Sequence, residues 1–130
     1  MLDHMGFAVR DFAKSKAFYQ KTLAPLGIAI VKEVTPEQSG GYTGAGFGDG
    51  GKPYFWIGAG KDSAGSHNVH VAFVAPDRKT VDAFYKAAMA AGGSDNGGPG
   101  LRPHYHPNYY GAFVHDPEGN NVEAVCHKPE

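Results

Sequence analysis

The chain has 130 residues, enough for one domain with a real core, and its 12 basic and 13 acidic residues leave a net charge of −1. No basic stripe marks a nucleic-acid partner, and no apolar run reaches the length of a membrane span. The only cysteine, Cys126, allows no internal disulfide, and the opening MLDHMGFAVRD lacks the layout of a secretion signal, so a reducing cytoplasm is the expected setting.

The first element, LDHMGFAV, alternates like a strand. Asp11 follows in the place of an N-cap, and Ser15, Phe18, Tyr19, Thr22 and Leu23 recur at helical spacing until Gly27 stops the helix. The glycine-punctuated remainder of this half reads as three short strands near 28–34, 42–48 and 53–58. GAGFGDGG, within 44–51, resembles a nucleotide loop, but no helix follows to receive a phosphate, so it reads as a flexible strand and turn. GAGKDS has Phe55 where a phosphate loop needs its first glycine and is discarded. KDSAGS reads as a linker, and His67 after it as peripheral.

The second half opens on VHVAF, then repeats the order: Asp77 as cap, then a helix with Val81, Phe84, Tyr85, Ala88 and Met89 on one face, stopped by Gly92-Gly93. Three strands follow near 95–101, 109–115 and 120–127. DPEGN joins the last two as a hairpin, with Pro117 presetting φ and Gly119 free to take positive φ.

The two halves are copies. At an offset of 66, His4 falls on His70, Phe7 on Phe73, Asp11 on Asp77, Ala17-Phe18-Tyr19 on Ala83-Phe84-Tyr85, Ala24 on Ala90 and Gly27 on Gly93. That is eight identities in 24 positions, where chance gives about one or two. The expected fold is α+β: one domain over 1–130 built from two tandem βαβββ modules, 1–60 and 67–130.

Side chains alternate on a strand. Met5, Phe7 and Val9 share the face expected to meet the helix, and His4 points the other way beside Gly6 and Ala8. Val71, Phe73 and Ala75 repeat that face, with His70 opposite. In the last strand Val122, Ala124 and Cys126 form the apolar face and Glu123 lies on the other. A lone histidine opening a strand is ordinarily a capped or solvent-bridged residue. Its recurrence in both copies, together with Glu123, matches two imidazoles and a carboxylate with coordination positions left open.

This arrangement resembles the vicinal oxygen chelate superfamily, which includes glyoxalase I, extradiol dioxygenases, fosfomycin-resistance thiol transferases and bleomycin-resistance proteins. The resemblance spans essentially the whole chain and rests jointly on LDHMGFAVRDFAKSKAFYQKTLAPLG, HVAF and DPEGNNVEAV. It implies a cupped mixed sheet around a divalent metal (iron, manganese, nickel or zinc) held by His4, His70 and Glu123. It also implies a homodimer whose modules pair within one chain or swap between chains, and a small substrate with oxygen donors. Glyoxalase I adds a fourth ligand, a glutamate in the last strand of module one. Here the offset sets Ile57 opposite Glu123, or Trp56 if one gap intervenes, so that ligand is missing. The implied activity is lyase or isomerase chemistry, or dioxygenase chemistry. A metal-free antibiotic-binding protein is the alternative from another class. A fosfomycin-type thiol transferase is a third, for which the sequence offers no thiol site.

LRPHYHPNYYG supplies a candidate substrate pocket: Arg102 for an anionic group, His104 and His106 for proton transfer, and Tyr105, Tyr109 and Tyr110 as flat walls with hydroxyl donors. The alternative is an aromatic surface loop. Trp56 reads as a pocket wall or as core. His115 and His127 read as exposed, and Cys126 as packed. No residue is singled out as catalytic.

Overall fold

The computed structural model describes residues 1–60, 65 and 68–130. The expected linker falls largely outside them, as does His67. Module one runs β1 (Met5–Ala8), α1 (Phe12–Leu23), β2 (Ala29–Val34), a one-turn helix α2 (Pro36–Ser39), β3 (Thr43–Gly48) and β4 (Phe55–Ala59). Module two runs β5 (His70–Val74), α3 (Arg78–Ala90), β6 (Ser94–Asp95), β7 (Gly100–Leu101), β8 (Tyr110–His115) and β9 (Asn121–Cys126). The order is the α+β one read from the sequence, in two mixed sheets, β1-β4-β3-β2 and β5-β9-β8-β6, with β7 also on β8. In each, the first strand lies parallel to the last, and the remaining pairings are antiparallel.

The helices start where their caps dictate. Asp11 accepts from the Lys14 amide at 3.1 Å, and Asp77 from the Thr80 amide at 2.7 Å. After α1 a 3₁₀ turn carrying Pro25 ends at Gly27, whose φ of 77° closes the element. The small helix α2 escapes a periodicity search because it is one turn long. Its signal is TPEQ, a capping box in which Thr35 and Gln38 satisfy each other's backbone amides, with Pro36 at the first helical position.

The apolar faces converge on one core between the sheets. Tyr19 meets Phe18 at 5.0 Å and Phe55 at 5.1 Å, and Phe55 meets Phe73 edge-on at 5.2 Å, so the modules share an aromatic seam. The predicted buried stripes hold for α1 and for Val81, Phe84 and Ala88 of α3, whereas Met89 lies half out of the core. Cys126 is packed, as expected. The second strand of module two is split into β6 and β7 by a bulge, where the Asn96 amide donates to the Phe113 carbonyl at 3.0 Å, the Gly97 carbonyl accepts from the Phe113 amide at 2.8 Å, and Gly97 has φ 136°.

Two polar members of the α1 stripe, Ser15 and Thr22, are fully buried, and their hydroxyls find no hydrogen-bond partner among the described residues. An orphaned hydroxyl costs more than a methyl of the same shape. Thr22→Val is therefore expected to raise stability by about 1 kcal/mol in urea unfolding; a loss would mean that a water or a distant group satisfies Thr22.

Candidate metal and substrate site

The strand registers settle which residue of module one matches Glu123. Ala72 pairs with Glu123, and Gly6, its equivalent, pairs with Trp56. The hairpin halves are thus offset by 67 residues, against 66 for the first strand and helix. Trp56, not Ile57, stands in the carboxylate's place; Ile57 is buried on the helix side. The same offset matches Tyr42 to Tyr109 and Gly44 to Gly111.

These pairs explain the glycines of GYTGAGFG. A Cβ on Gly46 would lie 2.8 Å from the Trp56 ring, and one on Gly44 would lie 2.7 Å from the Tyr42 ring. The glycines form a floor on which two aromatic rings lie, in β3, and bends at 49–52 follow the strand, the order read from the sequence.

In module two the same face carries the ligand-type groups. β5 alternates as predicted: Val71 and Phe73 point into the core, while His70, Ala72 and Val74 face outward. Glu123 is only 1% exposed although it lies on the outer face, with Tyr109 and His70 against its two carboxylate oxygens. His70 Nε2 lies 3.1 Å from Glu123 Oε1, and His70 Nδ1 lies 3.2 Å from the Asn121 carbonyl. The Tyr109 hydroxyl donates to the other carboxylate oxygen, Oε2. Burial, the hydrogen bond to Glu123 and the Glu123 charge hold the Tyr109 hydroxyl well above the ordinary phenol range, so it stays protonated.

This geometry constrains the proton on His70. A carbonyl only accepts, so Nδ1 carries the hydrogen toward Asn121. In neutral imidazole Nε2 then has a lone pair facing a carboxylate oxygen. Two acceptors at 3.1 Å need a proton or a cation between them. A divalent ion with bonds of about 2.0–2.2 Å would place adjacent donors at such a separation, and a backbone carbonyl orienting the far nitrogen is the usual support for a ligating histidine. The pair fits a metal.

His4 is elsewhere. Its Nδ1 pairs with Asp3 at 2.6 Å, and it lines a separate cavity of about 430 Å³ with Leu2, Leu26, Phe55 and Val74. Among the described residues, no group of three histidine, cysteine or acidic side chains comes together within one chain.

The loop residues divide. Arg102 donates to the Gly98 and Gly100 carbonyls at 2.7 and 2.8 Å and stacks over Phe113, so it braces the broken strand. His104 packs on Tyr105 at 4.2 Å and Tyr105 on Tyr109 at 5.1 Å, a run of rings leading to Glu123. His106 accepts from the Asn108 amide and lies edge-on to His127 at 5.5 Å. Tyr110 is not with them: it turns to the helix side, donating to Asp82 at 2.7 Å beneath Arg78. The pattern joins a residue the sequence left aside, His127, which packs on Tyr109 at 5.1 Å. Its signal is strand parity, since residue 127 falls on the face of 123 and 125.

Two βαβββ modules, each with its first strand parallel to its last, define the class of small α+β proteins with a glyoxalase-like fold. The chain belongs to the glyoxalase/bleomycin resistance protein/dioxygenase superfamily, whose family model matches residues 1–124. It is similar to a glyoxalase/bleomycin resistance protein from Albidiferax ferrireducens T118, with 26% identity over 98% of this chain and 99% of that one, TM-score 0.74. A glyoxalase/bleomycin resistance protein/dioxygenase family enzyme from Burkholderia phytofirmans PsJN shares 21% identity over 97% and 98%, TM-score 0.69. Glyoxalase I from Zea mays shares 19% over 99% of this chain but 45% of its own, TM-score 0.70. The last two likenesses speak to the fold. No curated protein matches the chain.

Proposed function

We propose that the protein is a metal-dependent enzyme of the vicinal oxygen chelate type, acting as a homodimer on a small substrate with oxygen donors. The observation that carries this reading is the placement of His70 Nε2 3.1 Å from Glu123 Oε1, with His70 Nδ1 on the Asn121 carbonyl. His70 and Glu123 would supply two ligands and His4 of a second copy the third. A divalent cation there supplies Lewis acidity to substrate oxygens or a place for oxygen to be activated.

The chain's own residues do the rest. His70 is oriented by the Asn121 carbonyl. Tyr109 lies against Glu123, and Tyr105 and His104 extend its ring outward toward the surface. His106 and Arg102 shape the same loop. Trp56 in the fourth-ligand place favours a three-ligand site over that of glyoxalase I.

Two features support a second copy. β1 and β5 each form an outer edge of their sheet, with no partner strand among the described residues. Val74 on β5 is 79% exposed and Leu2 before β1 is 76% exposed; an apolar edge of that kind is normally covered. No described helix is long and apolar enough to cross a membrane, and a cytoplasmic setting accords with the single buried thiol, Cys126.

Metal analysis of protein purified without chelator tests the reading. Wild type is expected to hold roughly stoichiometric divalent metal, and His70→Ala and Glu123→Ala to lose it while staying folded. Folded wild-type protein without metal affinity would overturn the enzyme reading and leave a metal-free small-molecule binder.

A further inference from the structure

We infer that Tyr109 is a positioning residue that fixes which oxygen of Glu123 is offered to the metal; this rests on the metal-site reading above. Glu123 is almost fully buried and its two oxygens have different neighbours: Oε1 faces His70 Nε2 at 3.1 Å, and Oε2 accepts from the Tyr109 hydroxyl. With Oε2 tied, rotation of the carboxylate is stopped and one oxygen remains for a cation. A buried carboxylate without that donor would be free to turn and to bind through both oxygens.

The hydroxyl is held from three sides. Gly111 lies beneath the ring, where a Cβ would come within 3.1 Å of it. Tyr105 and His127 abut the ring, each at 5.1 Å. Module one contains an internal comparison. Tyr42 lies over Gly44 and Gly58 as Tyr109 lies over Gly111, but the neighbouring strand carries Trp56 in place of the carboxylate. The ring-on-glycine packing therefore recurs without a carboxylate to hold, and the hydroxyl acquires a ligand-directing task only in module two. Outer groups of this kind change metal affinity by about 10- to 100-fold when removed.

Cobalt(II) alone is the probe, read by its visible absorption and by titration, on wild type, Tyr109→Phe, Tyr42→Phe and His70→Ala. Tyr109→Phe is expected to bind cobalt(II) about 10- to 100-fold more weakly with a shifted visible band, while its thermal melt remains cooperative. Tyr42→Phe is expected to match wild type in both. Gly111→Ala, which keeps the hydroxyl but displaces the ring, is a second variant and is expected to weaken binding in the same direction. A Tyr109→Phe protein with wild-type affinity and spectrum overturns the inference while leaving the metal site standing. Equal binding by wild type and His70→Ala overturns the metal-site reading itself.

Discussion

Asp116→Ala is expected to lower stability by about 3–4 kcal/mol, a large fraction of what a domain of this size has. The reason is the number of groups that share its carboxylate. Oδ1 accepts from the Glu118 and Asn120 amides, both at 2.9 Å, and Oδ2 accepts from Asn120 Nδ2 at 2.9 Å and from the Tyr19 hydroxyl at 2.6 Å. Asp116, Asn120 and Tyr19 are all buried, so water does not replace these bonds cheaply. The network also crosses modules. Tyr19 belongs to α1, Asp116 and Asn120 to the β8–β9 hairpin, and Asn120 Oδ1 receives the Val69 amide ahead of β5. Glu118 of the same hairpin accepts from the Arg10 and Asp11 amides, within 2.7 Å, at the start of α1. Urea unfolding of Asp116→Ala, Tyr19→Phe and the double variant measures the coupling. Tyr19→Phe alone is expected to cost about 1.5–2 kcal/mol, the usual worth of a hydrogen bond to a charged group, with most of that absent in the Asp116→Ala background. Wild-type stability in Asp116→Ala would mean that the hairpin does not tie the modules together.

DPEGN illustrates what was legible in the sequence and what was not. Its turn was readable, because proline and glycine act on their own φ, and Gly119 has φ 90°. That Asp116 reaches Tyr19, 97 residues away, was not readable, because nothing local encodes it. The same divide runs through the site. The outward direction of His70 and Glu123 follows from two-residue alternation, which is local. The match of Trp56 to Glu123 needs the strand register, because the repeat slips by one residue between helix and hairpin and identity alone cannot place the slip. The segment LRPHYHPNYYG, within 101–111, reads as one pocket by composition. Strand parity separates its end, sending Tyr109 to Glu123 and Tyr110 to Asp82 on the opposite face.

Mixing His4→Ala with Glu123→Ala chains is expected to restore metal binding that neither variant has alone. In a dimer swapped about a two-fold axis, each site takes His70 and Glu123 from one copy and His4 from the other. A mixed dimer then has one site with all three ligands, from the intact pair of the His4→Ala chain and the intact His4 of the Glu123→Ala chain. Its other site lacks two. With random exchange, half of the dimers are mixed and one of their two sites is complete, so metal should return to about a quarter of the wild-type sites. Subunits would be exchanged by unfolding and refolding together, and metal counted per chain after desalting. The prediction follows from where His4 lies: paired with Asp3 at 2.6 Å, beside the exposed edge that carries Val74, and outside any cluster with His70 and Glu123 in its own chain. If the modules instead pair within a chain, every site in the mixture still lacks one ligand and no metal returns. If His4→Ala alone binds as tightly as wild type, His4 is not a ligand, and the site is the His70–Glu123 pair completed by something other than the second imidazole.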